Sequence, residues 1–188
     1  MLNENERPTA ETGQVHIDAA HLRSAIPALK AGDPVFLSGT VYTARDAAHQ
    51  RLFRLLDAGA PLPFEIRDAV IYYAGPTPTK PDGRIGSFGP TTSARMDAFS
   101  PRLLDLGLAA MIGKGNRSIE VIEAIRRNGA VYFCAGGGFG ALISRSITAV
   151  EEIAFPELGC ESVKRLTVKD LPLIVGVDAA GNSVFDRG

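Results

Sequence analysis

Apolar, β-branched runs alternate with stretches of helical period along nearly the whole chain, and this alternation restricts the fold more than any other feature. PVFLSGTVYT (Pro34–Thr43) reads as a strand. It is followed by Ala44–Gly59, where Ala48, Leu52, Leu55 and Leu56 recur at helical spacing and Gly59 supplies a stop. AVIYYAG (Ala69–Gly75) reads as a buried strand leading into the Pro/Gly-rich loop PTPTKPDGRIGSFGP. A helix is expected to start near Thr92 and to break at Pro101. AAMIG (Ala109–Gly113) is a third strand-like run. In Ser118–Gly129, Ser118 is a good cap, Glu120 sits in the first turn, Val121, Ile122 and Ile125 form a stripe, and Gly129 ends the helix. AVYFCAG (Ala130–Gly136) is a fourth strand, and GFGALISRSI is expected to turn helical. The tail is expected to hold a strand at Leu173–Val177, a turn at Ala180-Gly181-Asn182 and a closing strand. The pattern predicts an α/β domain with a mostly parallel core sheet, to which the first segments and the C-terminal hairpin add antiparallel strands.

The 188 residues fit one domain, preceded by a polar and acidic lead over 1–14 that is expected to be mobile. A net charge of −1 gives no electrostatic reason for a nucleic acid or anionic membrane partner. No apolar run approaches the roughly 18 residues of a membrane helix. The two cysteines, Cys134 and Cys160, do not form a CxxC pair, which fits a reduced, cytoplasmic chain. Two cysteines and three scattered histidines also leave too few ligands for a self-contained metal or iron–sulfur site, since a cubane cluster typically takes about three or four thiolates.

The unusual polar residues follow the strands. Arg45 comes after the first, GPTTSAR (Gly89–Arg95) after the second strand's loop, GKGNR (Gly113–Arg117) after the third and GGGFG (Gly136–Gly140) after the fourth. In open α/β sheets ligands bind outside the carboxyl ends of the strands, so these loops would converge on one edge. A bland reading stands beside each. Glycines after strands make turns. GGGFG is only half a dinucleotide fingerprint and lacks an acidic ribose partner. His49, four residues from Arg45 on the same helix face, is more often a packing residue than a catalyst. Lys114 between glycines suits a solvated tip as well as a reaching ammonium. Arg45 and Arg95, however, place cations in the first turns of helices, against the helix dipole, and an anion would give them a reason to be there. One of Thr91 and Thr92 serves as an N-cap; the pair together offers hydroxyls and backbone N–H groups to a carboxylate or phosphate.

SFGPTTSARMD, with TARDAAH before it, MIGKGNRS and VYFCAGGGFGALIS after it and the ending LPLIVGVDAAGNSVF, resembles the C-terminal domain of class I fumarate hydratases, which in many bacteria and archaea is a separate β subunit. The β subunit of L(+)-tartrate dehydratase is a sister. The resemblance runs from about Val15 to Phe185. It implies a swivelling β/β/α domain over 15–188 with a mixed central sheet flanked by helices. It also implies a hydro-lyase that reversibly hydrates fumarate to (S)-malate, with a [4Fe-4S] cluster bound by a partner α subunit and not by this chain. An αβ heterodimer or (αβ)2 assembly and a dicarboxylate substrate go with it; no nucleic acid, membrane or metal ligand of this chain does. Carried over motif by motif, Thr91 matches the family's proposed catalytic base, and Arg45, Thr92, Arg95 and Lys114 match substrate-binding residues. Ser93-Ala94 stands where the family often has Ala-Gly, which does not decide the substrate, while Asn116 and Arg117 in GKGNRS look more like the fumarase β subunits.

Two alternatives remain from the sequence. One is the β subunit of a tartrate or other 2-hydroxydiacid dehydratase. The other is a non-catalytic dicarboxylate-binding or assembly module, against which the intact set of Arg45, Thr91, Arg95 and Lys114 argues.

Overall fold

The structure, a computed structural model, describes residues 14–77, 86–136 and 140–186. The lead Met1–Gly13, part of the Pro/Gly-rich loop and most of GGGFG lie outside the described residues. No helix among the described residues is long and apolar enough to cross a membrane.

The strands form where the apolar runs stand. β1 (Val15–Asp18) pairs in parallel with β2 (Pro34–Thr43), and β2 with β3 (Val70–Tyr72). β3 pairs in parallel with β6 (Ala110–Gly113), and β6 with β7 (Val131–Cys134). β4 (Ala74–Pro76) and β5 (Phe88–Pro90) form a separate antiparallel ribbon directly after β3. β9 (Val163–Val177) then runs antiparallel to β2, β7 and the edge strand β8 (Ile147–Ala154). Because β9 bonds both β2 and β7, the strands β2-β3-β6-β7-β9 close into a ring, with β1 and β8 splayed from it. Closure removes two sheet edges that would otherwise present unpaired N–H and C=O groups.

Sheet closure needs local bending. β9 carries an extra residue opposite the Leu37–Gly39 step, where Asp170 takes φ +50° and its N–H bonds Ser38 Oγ at 2.9 Å. Gly39 sits at the same point with φ +109°, and a Cβ there would lie 3.1 Å from Asp18 Oδ1 and 3.2 Å from Ala19 N. A side chain would therefore be strained twice over.

Alternate residues of the ring strands face inward. Val35, Leu37, Val70, Ile112, Phe133, Leu166 and Val175 meet in one core, which is capped by Leu22 of α1 (Leu22–Ala25) and by Ile26. The opposite face of β3, β6 and β7 is covered by α2 (Asp46–Asp57), α3 (Ser100–Asp105) and α4 (Ile119–Asn128). There Ile71, Met111 and Tyr132 pack with Leu52, Leu104 and Ile125. Strands buried on both faces read as unbroken apolar runs, which is why AVIYYAG and AAMIG stand out in the sequence. α4 forms as its sequence requires: Ser118 caps Val121 N, and Gly129 closes it in the left-handed region. α5 (Gly140–Ser146) leads into β8.

Four expectations change. The N-terminal strand β1, expected to be antiparallel, runs parallel to β2. Pro101 does not break a helix; it occupies the first turn of α3, where its missing N–H costs nothing. The stretch after Thr92 is a single 3-10 turn, Ser93–Met96, with no side-chain cap. The expected Leu173–Val177 strand is the end of the 15-residue β9, and the closing strand reduces to a Val177–Ser183 bridge. β8, whose residues are mostly exposed, carries too little apolar signal to be read from sequence.

Leu166 is fully buried in the ring on β9. Leu166→Ala is expected to destabilise the fold by about 2–5 kcal/mol, read as a lower urea midpoint with an unchanged m-value.

Candidate active site

The carboxyl ends of β2, β3 and β6 lie side by side and are sewn together by backbone hydrogen bonds. Ala44 N donates to Tyr72 O at 3.2 Å, and Tyr73 N to Ile112 O at 2.8 Å. The loop that returns through β5 is fixed to the same edge. Thr91 N donates to Tyr73 O at 2.7 Å and Ser93 N to Lys114 O at 2.9 Å, and Thr92 and Lys114 form an isolated parallel bridge. Gly113 must be glycine here, since a Cβ would fall 1.9 Å from Ser93 Oγ. Residues that are far apart in sequence, Arg45, Thr91, Thr92, Arg95 and Lys114, therefore stand along one rim.

Their side chains differ in setting. Arg45 is the N-cap residue of α2; its Nη2 lies 3.5 Å from Glu161 Oε1, and its guanidinium passes Gly75, where a Cβ would sit 3.4 Å from Nη1. Glu161 Oε2 also accepts Ala47 N at 2.9 Å, so this carboxylate caps α2 from another part of the chain. Arg95 is exposed and its Nε donates to Asp46 Oδ1 at 3.0 Å. Both arginines thus have carboxylate partners within the protein, which corrects the expectation that the fold alone gives them no reason to be there. Thr91 is half-buried, whereas Thr92 and Lys114 are exposed. Among the described residues neither threonine hydroxyl nor the Lys114 ammonium has a hydrogen-bond or ion-pair partner. The Arg45 Nε and Asp46 Oδ2 atoms are buried without partners, in keeping with a site whose polar groups are not all used internally.

A second layer lies beneath. Arg117 is buried; its Nε donates to Asp97 Oδ1 at 2.7 Å and its Nη2 to Ser100 Oγ at 2.7 Å. Its guanidinium lies 5.3 Å from the Tyr73 ring and 4.9 Å from the Tyr132 ring. The Tyr132 hydroxyl reaches Gly115 O and Ser93 Oγ, each at 2.8 Å. His49 is fully buried between Tyr73 and Phe99, with Nδ1 2.8 Å from Arg45 O. A carbonyl can only accept, so Nδ1 carries the hydrogen; burial lowers the pKa to about 4, so the ring is neutral near pH 7. Glu161, Asp46, Ser93 and Tyr132 escaped sequence reasoning. Only Asp46, beside Arg45, had a local signal; the other partners meet across the fold.

The only nearby thiols make no cluster site. Cys134 is half-buried and burial pushes its thiol pKa up; Cys160 is exposed. No group of three or more His, Cys, Asp or Glu side chains converges among the described residues. Two cysteines that do not converge with other ligands among the described residues do not fit an iron–sulfur cluster. A separate cavity of about 450 Å³, lined by Asp18, Gly39, Tyr42, Glu65 and Asp68 among others, includes none of the rim residues.

The family model described as "Fumarase C-terminus" matches residues 1–188, the whole chain. The chain belongs to the fumarase C-terminal family. It is 42% identical over 153 residues to the anaerobic class I fumarate hydratase of Escherichia coli K12, covering 80% of this chain and 28% of that protein. Over 168 residues it is 38% identical to fumarate hydratase 2 of Leishmania major, covering 88% of this chain and 30% of the relative. A putative L(+)-tartrate dehydratase subunit beta of Methanocaldococcus jannaschii is 39% identical over 165 residues, covering 85% of each chain. The chain therefore spans 28% and 30% of these two fumarate hydratase relatives but 85% of the β-subunit relative.

His49 gives this domain a pH dependence. Protonation is opposed in the folded state down to about pH 4 but proceeds near 6.5 in the unfolded chain, so stability falls as pH drops through that window. From pH 7 to pH 5 the loss from this group is about 2 kcal/mol. Urea unfolding at the two pH values should show it, and His49→Gln should remove that part of the difference.

Proposed function

We propose that this chain is the β subunit of a two-subunit fumarate hydratase and supplies the base and the carboxylate clamp for reversible hydration of fumarate to (S)-malate. The observation that carries the reading is the shared rim: a half-buried hydroxyl, two guanidiniums and an ammonium, brought to one sheet edge from three strand ends. A four-carbon diacid presents two carboxylates. Arg45 and Arg95 each offer a planar fork to one, and Lys114 adds a point charge. In the dehydration direction Thr91 Oγ1 takes the proton from the carbon next to a carboxylate, and the hydroxyl on the adjacent carbon leaves as the double bond forms. In hydration Thr91 returns that proton. A threonine alkoxide is costly in water, and three cations at the rim lower that cost by favouring the charged form. Thr92 holds the substrate beside it.

The rest of the enzyme comes from an α subunit, which completes the length of the fumarate hydratase relatives. We assign to that subunit the [4Fe-4S] cluster and the acid that protonates the leaving hydroxyl, because this chain has two cysteines and no group of three ligands converges among the described residues. Assembly as αβ or (αβ)2 in the cytoplasm follows the same reading. The 85% mutual coverage with a tartrate dehydratase β subunit favours a second substrate, L(+)-tartrate, with the same residue roles.

The test is anaerobic reconstitution with the α subunit, followed by a panel of fumarate, malate and tartrate. Thr91→Ala is expected to cut kcat about a hundredfold or more while KM changes little, the size usual for a positioned base. Unchanged kcat would remove Thr91 from the mechanism. Arg95→Lys should raise KM about tenfold, because a single point charge replaces a fork; turnover of tartrate alone would select the second substrate.

A further inference from the structure

We propose that Tyr132 is a positioning residue whose hydroxyl locks the Thr91–Thr92 turn to the Lys114 loop. The inference rests on the roles just given to Thr91 and Lys114. Tyr132 lies on β7, under both segments, and its ring is fully buried. Its single hydroxyl hydrogen goes to Gly115 O, a pure acceptor, at 2.8 Å. The Ser93 hydroxyl must then donate to Tyr132 Oη, also at 2.8 Å. The direction of each hydrogen bond is thereby set, and the relay runs Ser93 to Tyr132 to Gly115.

The two ends of that relay are the immediate neighbours of the proposed site residues. Ser93 follows Thr92, and Gly115 follows Lys114. A second link crosses the same gap, from Ser93 N to Lys114 O at 2.9 Å. Ser93 is fully buried, so loss of its partner would leave a polar group unsatisfied. The Tyr132 ring cannot swing away, because the Arg117 guanidinium lies 4.9 Å from its centre and is itself held by Asp97 and Ser100. Burial pushes the Tyr132 pKa well above its ordinary value, so the phenol keeps its donor hydrogen at any pH used for assay. Main-chain bonds align the turn that carries the hydroxyl base and the loop that carries the ammonium, and the phenol is the side-chain tie that joins Ser93 to Gly115 across them. A small displacement between a base and a charge that stabilises it is costly in rate.

Tyr132→Phe keeps the ring and its contact with Arg117 and deletes only the hydroxyl. Ser93→Ala deletes the other end. In the isolated full chain, both variants are expected to keep the thermal midpoint within a few degrees, while amide exchange at Ser93 and at 114–116 speeds up about tenfold and core amides are unchanged. In the enzyme reconstituted with its α subunit, each variant should lose about ten- to a hundredfold in kcat/KM. The double variant should be no worse than the poorer single one, because the two groups act as one unit. Wild-type exchange at those amides, wild-type kinetics, or full additivity of the two changes would each overturn the proposal. Thr91→Ala and Lys114→Ala run in parallel separate the two readings. If both leave kinetics intact, the assignment of the site fails, and with it the positioning role, even where the exchange effect persists. If both are impaired and Tyr132→Phe is not, only the positioning role fails.

Discussion

Everything at the rim depends on β9 bonding two strands at once. Its Lys164–Ile174 stretch runs along β2, and Ile174–Val177 continues along β7. This pairing turns an open parallel sheet into a ring and fixes the ends of β2, β3 and β6 relative to one another. A ring closed by backbone hydrogen bonds resists shear, because slipping one strand by a residue would turn its apolar side chains from the core to the opposite face. The register shift at Asp170 and the glycine at position 39 allow the strand to bend enough to meet both partners.

On that platform the polar residues are held mostly through the main chain. Thr91 is fixed by its own N–H on Tyr73 O, and Lys114 by its carbonyl on Ser93 N, so their side chains remain available. α2 begins directly after β2, and its Ala47 N–H is answered by Glu161, which approaches from the turn before β9. That turn is steadied by Lys164, whose ammonium donates to Gly159 O, Cys160 O and Ser162 O. The position of Arg45 is therefore set by the first and last strands of the ring together.

Much of this was legible in the sequence, for identifiable reasons. β2 begins and ends where its apolar run does, and α4 where Ser118 and Gly129 dictate, because both signals are local. The rim residues were also legible, since each follows a strand and the parallel order brings strand ends together. The acidic partners were not. Asp46 and Glu161 meet Arg95 and Arg45, which lie 49 and 116 residues away in the chain, only once the ring has closed. Pro101 misled because proline marks helix starts as well as stops. Tyr132 was indistinguishable from a core aromatic, since its ring is one; only its hydroxyl has a further task.

Depth sorts the cations by what they can do. The Arg117 side chain is fully buried and Asp97 is its neutralising partner; removing either would leave a charge in a low-dielectric interior at a cost of about 3–5 kcal/mol. That pair belongs to the scaffold. Arg45 and Arg95 are bound to Glu161 and Asp46 in half-exposed settings, where such pairs are worth about 0–1 kcal/mol. These contacts are strong enough to restrict the guanidinium rotamers and weak enough for another anion to compete for the same N–H groups. An arginine already extended toward the rim loses less entropy on gripping a ligand than one free in solvent. The acidic residues beside the rim thus orient the two guanidiniums without binding them tightly.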